Sequence, residues 1–410
     1  MNWETKRIKD IFSFSKGLSI TKEDLVEKGV PVISYGQIHS KQNKGVKIDD
    51  SLIRFVGEEY LESGEKSLTN KHDFLFADTS EDFEGCGNNV YVDRDMTLFA
   101  GYHTIILRNK KPQDCRYFAY QFNSDDWRTQ IRKNVCGIKV YSITQKSLSN
   151  ISLLVPPESM QKKISDFLDM KTQGIDARIE ILEKKKERYT ILRQAIINEA
   201  LNAEGKNWEA RRVKDVIQLK ARIGWKGLRS DEFQTKSFAY LVTGQDFSSS
   251  EIQWKDCYQI DKERYDEDPY IQLKNGDVLV TKDGTIGKVA MVNNLDKPAC
   301  LNSGVFVLHQ KKPVFTQKFL FWELQSNIFS DFIAQNSDGA TIQHLYQNVF
   351  DFLNLYIPTI EDQEKIATYL DVKTYTIDSI VENITKEIDS LKIYRRTLIN
   401  EAVTGKLNIE

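Results

Sequence analysis

The sequence predicts an α+β chain built twice: two tandem α+β domains, each followed by a long helix, with the two helices pairing antiparallel about a pseudo-twofold axis. Three observations carry this. Residues 155–200 return at 357–402 without a gap, and roughly 18 of the 46 aligned positions are identical, which marks an internal duplication. The opening NWETKRIK of residues 2–9 returns as NWEARRVK at 207–214. Inside each long repeat, apolar residues fall on alternating steps of four and three, the period of a coiled coil. The boundaries that follow are a first domain over 1–155, a helix over 156–204, a second domain over 205–357 and a C-terminal helix over 358–410.

Taken in order, the first domain offers strands at Val30–Ile38, Phe74–Ala77, Asn89–Val92 and His103–Leu107, short runs rich in β-branched and aromatic residues. One amphipathic helix over 115–134 follows, with Phe118, Phe122, Trp127 and Ile131 on one face, a stripe read as core rather than a base-stacking platform. Pro156-Pro157 stops the last strand, and the first long helix starts beyond it. Its seam includes Leu168, Ile175, Ile179, Leu182 and Ile196, and the Gly205 region ends it. The second domain repeats the plan with strands at Asp277–Val280, Lys288–Val292 and Gly304–His309, and a helix over 316–336 carrying Phe319, Trp322, Phe329 and Phe332. Between the repeats, Ile33-Ser34-Tyr35-Gly36-Gln37 aligns with Leu241-Val242-Thr243-Gly244-Gln245, 73–85 with 277–287, and Gly137 with Gly339. After Pro358, the second seam includes Leu370, Ile377, Val381, Ile384, Leu391 and Leu398, with Arg193 and Arg395 at equivalent polar positions that either set register or mark the edge of a shorter apolar seam. About 40 helical residues span about 60 Å, a length more economically paired than left alone.

The chain has 410 residues, and its 57 Lys and Arg nearly cancel 59 Asp and Glu, leaving a formal charge of −2. Gripping nucleic acid by bulk charge is thereby excluded, though a local basic groove is not. Five cysteines, Cys86, Cys115, Cys136, Cys257 and Cys300, lie far apart with no C-x-x-C pair, the pattern of a reducing compartment rather than of a disulfide framework or zinc knuckle. No signal peptide or membrane-length apolar run is evident, so a soluble, cytoplasmic protein is expected.

Enzyme signatures are missing. Gly284-Thr285-Ile286-Gly287-Lys288 imitates the end of a phosphate loop, but Val289 replaces the hydroxyl residue and a strand follows. Asp268-Pro269-Tyr270 lacks the second proline of the amino-methyltransferase tetrapeptide. The five histidines show no metal spacing, and no nucleophile elbow is present. No catalytic residue or metal ligand is assigned.

At the repeat the chain becomes recognisable. The phrase I-P-x-x-x-x-Q-x-K-I-x-x-x-L-D, with Pro358, Gln363, Ile366, Leu370 and Asp371, and matched through Pro156, Gln161, Ile164, Leu168 and Asp169, resembles the helical region of type I restriction–modification specificity subunits. LINEAVTGKL at the C-terminus and GDVLVTKDGTIGKVAMV at 276–292 also resemble that family. The resemblance implies two target-recognition domains, each reading half of a split double-stranded DNA site, with the helices as spacers. It implies two modification subunits that methylate adenine, and restriction subunits that translocate and cleave. S-adenosylmethionine, ATP and magnesium would then sit on those partners, none on this chain, and no membrane is involved.

A duplex reader needs phosphate contacts for affinity and base-edge contacts for specificity. Side chains that suit those roles cluster in the first domain at Gln37, His39, Ser40, Lys41, Gln42, Asn43, Lys44 and Lys47, and again at Lys139, Tyr141, Ser142, Gln145 and Lys146. In the second they are Lys220, Arg222, Lys226, Arg229, Gln245, Lys282, Asp283, Thr285, Lys288, Gln343, His344 and Tyr346. The rival reading is a non-enzymatic coiled-coil scaffold that assembles partners without reading DNA. A nuclease would require an acidic constellation that the sequence does not supply.

Overall fold

The computed structural model describes residues 3–111, 114–135, 137, 140–222, 227–248, 250–336 and 344–409. Two compact units emerge, one of Met1–Glu183 with Thr385–Glu410 and one of Lys184–Ile384. Each unit therefore holds one α+β block and part of both long helices, Glu158–Ala200 and Ile360–Val403.

Unit 1 is centred on a four-stranded antiparallel sheet ordered Phe12–Lys16, Thr104–Asn109, Phe74–Ala77 and Asn89–Tyr91. The run Phe74-Leu75-Phe76-Ala77 is buried along its whole length, because alternate side chains enter two different cores. Phe74 and Phe76 meet Phe12, Phe122 and Trp127, with rings edge-on or tilted, and Phe12 in turn meets Phe118. Leu75 and Ala77 join Ile33, Val90, Val92 and Ile106. A second sheet runs Leu25–Val26, Arg54–Val56, Val30–Ile33, Phe99–Ala100, its last pair parallel. Glu4–Arg7 closes the block against Ser152–Val155, in register Glu4 to Val155.

Unit 2 repeats this plan. Its sheet runs Ile217–Lys220, Val305–Gln310, Val278–Thr281, Val289–Met291, beside a sheet of Tyr258–Ile260, Ala239–Val242 and Ala299–Leu301. The returning NWEARRVK explains the closure: Glu209–Arg212 pairs with Asn354–Ile357, in register Glu209 to Ile357.

Three expectations change. The strand expected over Val30–Ile38 stops at Ile33, and Tyr35–Ile38 is a helical turn whose start is capped by Gln37 Oε1 accepting the Ser34 N–H at 3.1 Å. The amphipathic helices expected over 115–134 and 316–336 are each two helices, Arg116–Gln121 with Asp125–Arg132 and Gln317–Glu323 with Asn327–Asn336. In the first, Ser124 restarts the chain as an N-cap, its hydroxyl accepting from the Trp127 N–H. The aligned pentapeptides shift by one residue. Gly101 N–H donates to Ile33 O and Asn302 N–H to Val242 O, while Asp246 caps Thr243 as Gln37 caps Ser34. Ser34 is thus the partner of Thr243, and Gln37 of Asp246. Gly339 lies outside the described residues, as does Cys136. The four described cysteines are buried.

The shared helical phrase has a physical account. Gln161 and Gln363 each donate from Nε2 to the carbonyl of the proline five residues earlier, both at 2.9 Å. Leu168 and Leu370 are fully buried. Asp169 accepts from the Tyr120 hydroxyl (2.7 Å) and pairs with Arg116 (2.6 Å); Asp371 accepts from Trp322 Nε1 (3.0 Å) and pairs with Lys318 (2.6 Å). In both copies the motif bolts the α+β block to its helix through an aromatic donor and a cation.

Helix pairing is antiparallel within each unit. In unit 1, Arg395 pairs with Asp176 at 3.1 Å and Arg178 with Glu387, while Leu398 and Ile399 share a core with Ile164 and Leu168. In unit 2, Arg193 pairs with Asp378 at 2.9 Å, and Ile197 and Leu201 share a core with Ala367 and Leu370. The seam arginines therefore bond equivalent aspartates on the opposite helix. Leu168, Ile175, Leu182, Leu370, Ile377, Ile384 and Leu398 are buried, and Ile179, Ile196, Val381 and Leu391 half-buried. Near the helix C-termini burial moves to Ile197, Leu201, Ile399 and Val403, which face the α+β blocks. No helix among the described residues is long and apolar enough to cross a membrane.

Candidate nucleic-acid interface

In unit 1 the sheet strand Phe74–Ala77 continues into Thr79–Ser80, which pairs with Tyr141–Ser142. The ladder is held from beneath. Arg128 donates to Asn88 Oδ1 at 2.7 Å, so Asn88 Nδ2 faces His39 Nδ1 at 3.1 Å. A guanidinium only donates, which fixes the amide orientation and leaves His39 Nδ1 as acceptor. His39 Nε2 then carries the proton and donates to Thr79 O at 2.8 Å. His39 is engaged on both nitrogens and braces the ladder.

Of the other sequence candidates here, Asn43 spends its amide on Ile38 O, Asn89 O and the Gly45 N–H. Lys44 pairs with Asp176 on the long helix at 3.1 Å. Gln37 is the cap described above. Lys41, Lys47 and Lys146 are exposed, and Gln42 is too. The Ser40 hydroxyl donates to Gln42 Oε1. Gln145 donates to Ser15 O at 3.3 Å, and Tyr141 packs on Phe83, which Arg132 also covers. Lys139 lies outside the described residues.

Beside the ladder stands a group that the sequence reading passed over: Tyr35, Tyr102, His103 and Asp78. The rings of Tyr35, Tyr102 and His103 meet edge-on at 5.5–6.2 Å, and His103 Nδ1 lies 3.1 Å from Asp78 Oδ1. The signal available is that His103 immediately precedes a strand where the other copy has Gly304, since Asp78 N–H donates to His103 O as Lys282 N–H does to Gly304 O.

Unit 2 brings together several of its candidates. The Leu345 N–H donates to Lys282 O at 2.8 Å, as Ile143 N–H does to Asp78 O, so 344–345 occupy the place of 142–143. There His344 pairs with Asp283, Lys282 Nζ reaches Asp283 Oδ2 at 2.8 Å, and the Tyr346 ring lies 4.4 Å from His344. Thr285 and Lys288 are exposed on the hairpin turn leading to Val289–Met291. The imitation of a phosphate loop is that turn: Gly284 and Gly287 hold φ of 71° and 80°, and Thr281 Oγ1 donates to Thr285 O at 2.6 Å.

Arg222 departs from the expectation of a phosphate contact. It is 3% exposed, donating to Leu301 O and Cys300 Sγ, and so faces the interior. Gln245 is exposed, Lys220 lies over the Tyr270 ring at 4.8 Å, and exposed Arg229 receives a cap from Glu232 on its N–H. Lys226 and Gln343 lie outside the described residues. Among the described residues no group of three or more His, Cys, Asp or Glu is placed to hold a metal ion.

Two α+β blocks on one plan, each joined to paired helices by the same motif, with unlike exposed polar clusters at matching places, define an internally duplicated α+β protein. The chain belongs to the type I restriction modification DNA specificity domain family, whose model matches it twice, over residues 1–188 and 205–390. It is similar to the MjaVIII specificity subunit of Methanocaldococcus jannaschii, with 21% identity over all of this chain and 94% of that one. It is also similar to the StySPI specificity subunit of Salmonella potsdam, with 20% identity over 100% of this chain and 90% of the other. A solved chain from work on complex assembly and conformational transition of the type I R-M system shares the fold, with a TM-score of 0.72 over 99% of this chain and 98% of that one, at 15% identity.

Proposed function

We propose that this chain is the non-catalytic sequence-reading subunit of a type I restriction–modification complex, and that its two α+β blocks read different halves of an asymmetric bipartite DNA site. The observation that carries this is the contrast between copies. Core registers, the Asp169 and Asp371 joints and the Arg–Asp helix pairs agree. The exposed clusters beside the ladders do not: Asp78 with His103 in one, Lys282, Asp283 and His344 in the other. Unlike exposed polar ends on a shared plan suit two readers of unlike sequences. On this reading the two target-recognition domains span 1–155 and 205–357, and the spacer segments that carry the helices span 156–204 and 358–410.

Docking of two modification subunits is supported by apolar side chains left exposed at matching helix positions. In unit 1 these are Met170, Ile393 and Tyr394; in unit 2 their counterparts are Val372, Ile191 and Leu192. Equivalent patches fit two copies of one partner. The cofactors of methylation and translocation would then belong to the partners.

Exchanging residues 1–155 for another such domain, followed by mapping methylated adenines in genomic DNA, tests the reading. One half-site should change and the other persist. Sequence-independent methylation that persists unaltered would favour the scaffold reading instead.

A further inference from the structure

His103 combines three features unusual for a surface residue. Its φ is +54°, a left-handed conformation that side chains other than glycine rarely hold, and such outliers collect at functional positions. The backbone around it is pinned from several directions: Tyr35 N–H to Tyr102 O, Asp78 N–H to His103 O, Gly101 N–H to Ile33 O, and the Thr104 hydroxyl to Gly101 O at 2.6 Å. The side chain is 56% exposed, yet its ring is oriented by Tyr35, Tyr102 and the Asp78 carboxylate.

A carboxylate only accepts, so Nδ1 carries the proton and, in the neutral ring, Nε2 is left as an acceptor. The Asp78 end of the ladder is in turn braced by the Arg128–Asn88–His39–Thr79 chain. A cleft of about 660 Å³ opens alongside, lined by His103 and Asp78 together with Lys16 and Lys146. Cations flanking an oriented acceptor are the arrangement that phosphate positioning and base-edge readout require.

We propose that His103 is a base-reading residue of unit 1, its Nε2 accepting a hydrogen bond from an exocyclic amino group, cytosine N4 or adenine N6, in the major groove, with Asp78 as its positioning residue. This rests on the reading of unit 1 as a DNA reader and assigns that reader its contact atom.

The test uses the full chain assembled with its modification subunits. The variant is His103→Gly, chosen because glycine adopts the same backbone without strain. It should relax one base position of the unit 1 half-site, with discrimination there falling roughly tenfold to a hundredfold. The other half-site and the thermal transition should stay as they were. At that position, purine in place of adenine, or 2-pyrimidinone in place of cytosine, should weaken the unaltered complex by a similar factor and His103→Gly hardly at all. Asp78→Asn should relax the same position, since an amide no longer dictates the tautomer; a bracing role alone would not move a single base preference. An unchanged half-site in His103→Gly overturns the assignment alone, as does sensitivity to 7-deazaguanine without sensitivity to amino removal. Absence of sequence-specific methylation by the unaltered complex overturns DNA reading itself, and the assignment with it.

Discussion

Glu323 offers a stability test that needs no partner. It is 1% exposed, its Oε1 accepts the Tyr356 N–H at 3.1 Å, and Oε2 finds no hydrogen-bond partner among the described residues. Among the described residues no Lys or Arg pairs with it, and burial pushes its carboxyl up to about 8 from 4.5. The folded chain therefore holds a proton between pH 4.5 and about 8 that the unfolded chain has released. Stability attached to that proton is complete below 4.5 and is lost as pH rises toward 8, at up to about 1.4 kcal/mol per unit. Across the window the loss is on the order of 5 kcal/mol at most. The other copy has Gln121 here, 3% exposed and donating to Leu154 O at 3.1 Å, so the site accepts an amide. Glu323→Gln should match the parent near pH 5 and exceed it by a few kcal/mol at pH 8.5. Calorimetry from pH 5 to 8.5 measures this in the transition of unit 2. Gln121→Glu should install the same slope in unit 1. Parallel pH profiles for parent and Glu323→Gln would refute the buried neutral acid.

Asp371→Ala should cost unit 2 about 1–3 kcal/mol in thermal unfolding, because it strips Trp322 Nε1 and Lys318 of their shared acceptor. A double-mutant cycle on Arg395 and Asp176, with both side chains about one-fifth exposed, should return a coupling of roughly 0.5–1 kcal/mol. Ile393→Lys should lower the count of bound modification subunits from two to one by native mass spectrometry, and Leu192→Lys should do the same from the other patch.

The duplication and the helices were legible because they rest on periodicity and on a repeat, signals that depend on local spacing alone. The Arg193 and Arg395 seam positions could be read for the same reason, although their aspartate partners could not. The strand at Val30 was read too long because Ser34 and Gln37 are a capping pair separated by a turn, and nothing apolar changes there. The helices over 115–134 and 316–336 were merged because their apolar stripes continue across the break that Ser124 and Ser326 introduce. Arg222 and Asn43 were chosen for side-chain chemistry, which does not tell an exposed donor from one spent on a carbonyl 3 Å away.

The two polar clusters differ in legibility for a structural reason. In unit 2, Lys282 and Asp283 are neighbours in a segment that aligns between copies, and His344 meets them through a single antiparallel bridge to Asp283. In unit 1 the cluster is gathered from residues 35, 78 and 102–103, three turns brought together only by sheet pairing. Matching ladders thus carry His–Asp pairs from non-equivalent positions: Asp78 stands where Lys282 does, and His103 where Gly304 does. A pair needed for packing would be fixed by the core it touches and would recur at the same positions. Each of these pairs is partly exposed and rebuilt from different residues. The constraint on them therefore lies outside the core, as the proposed reading of two unlike half-sites requires.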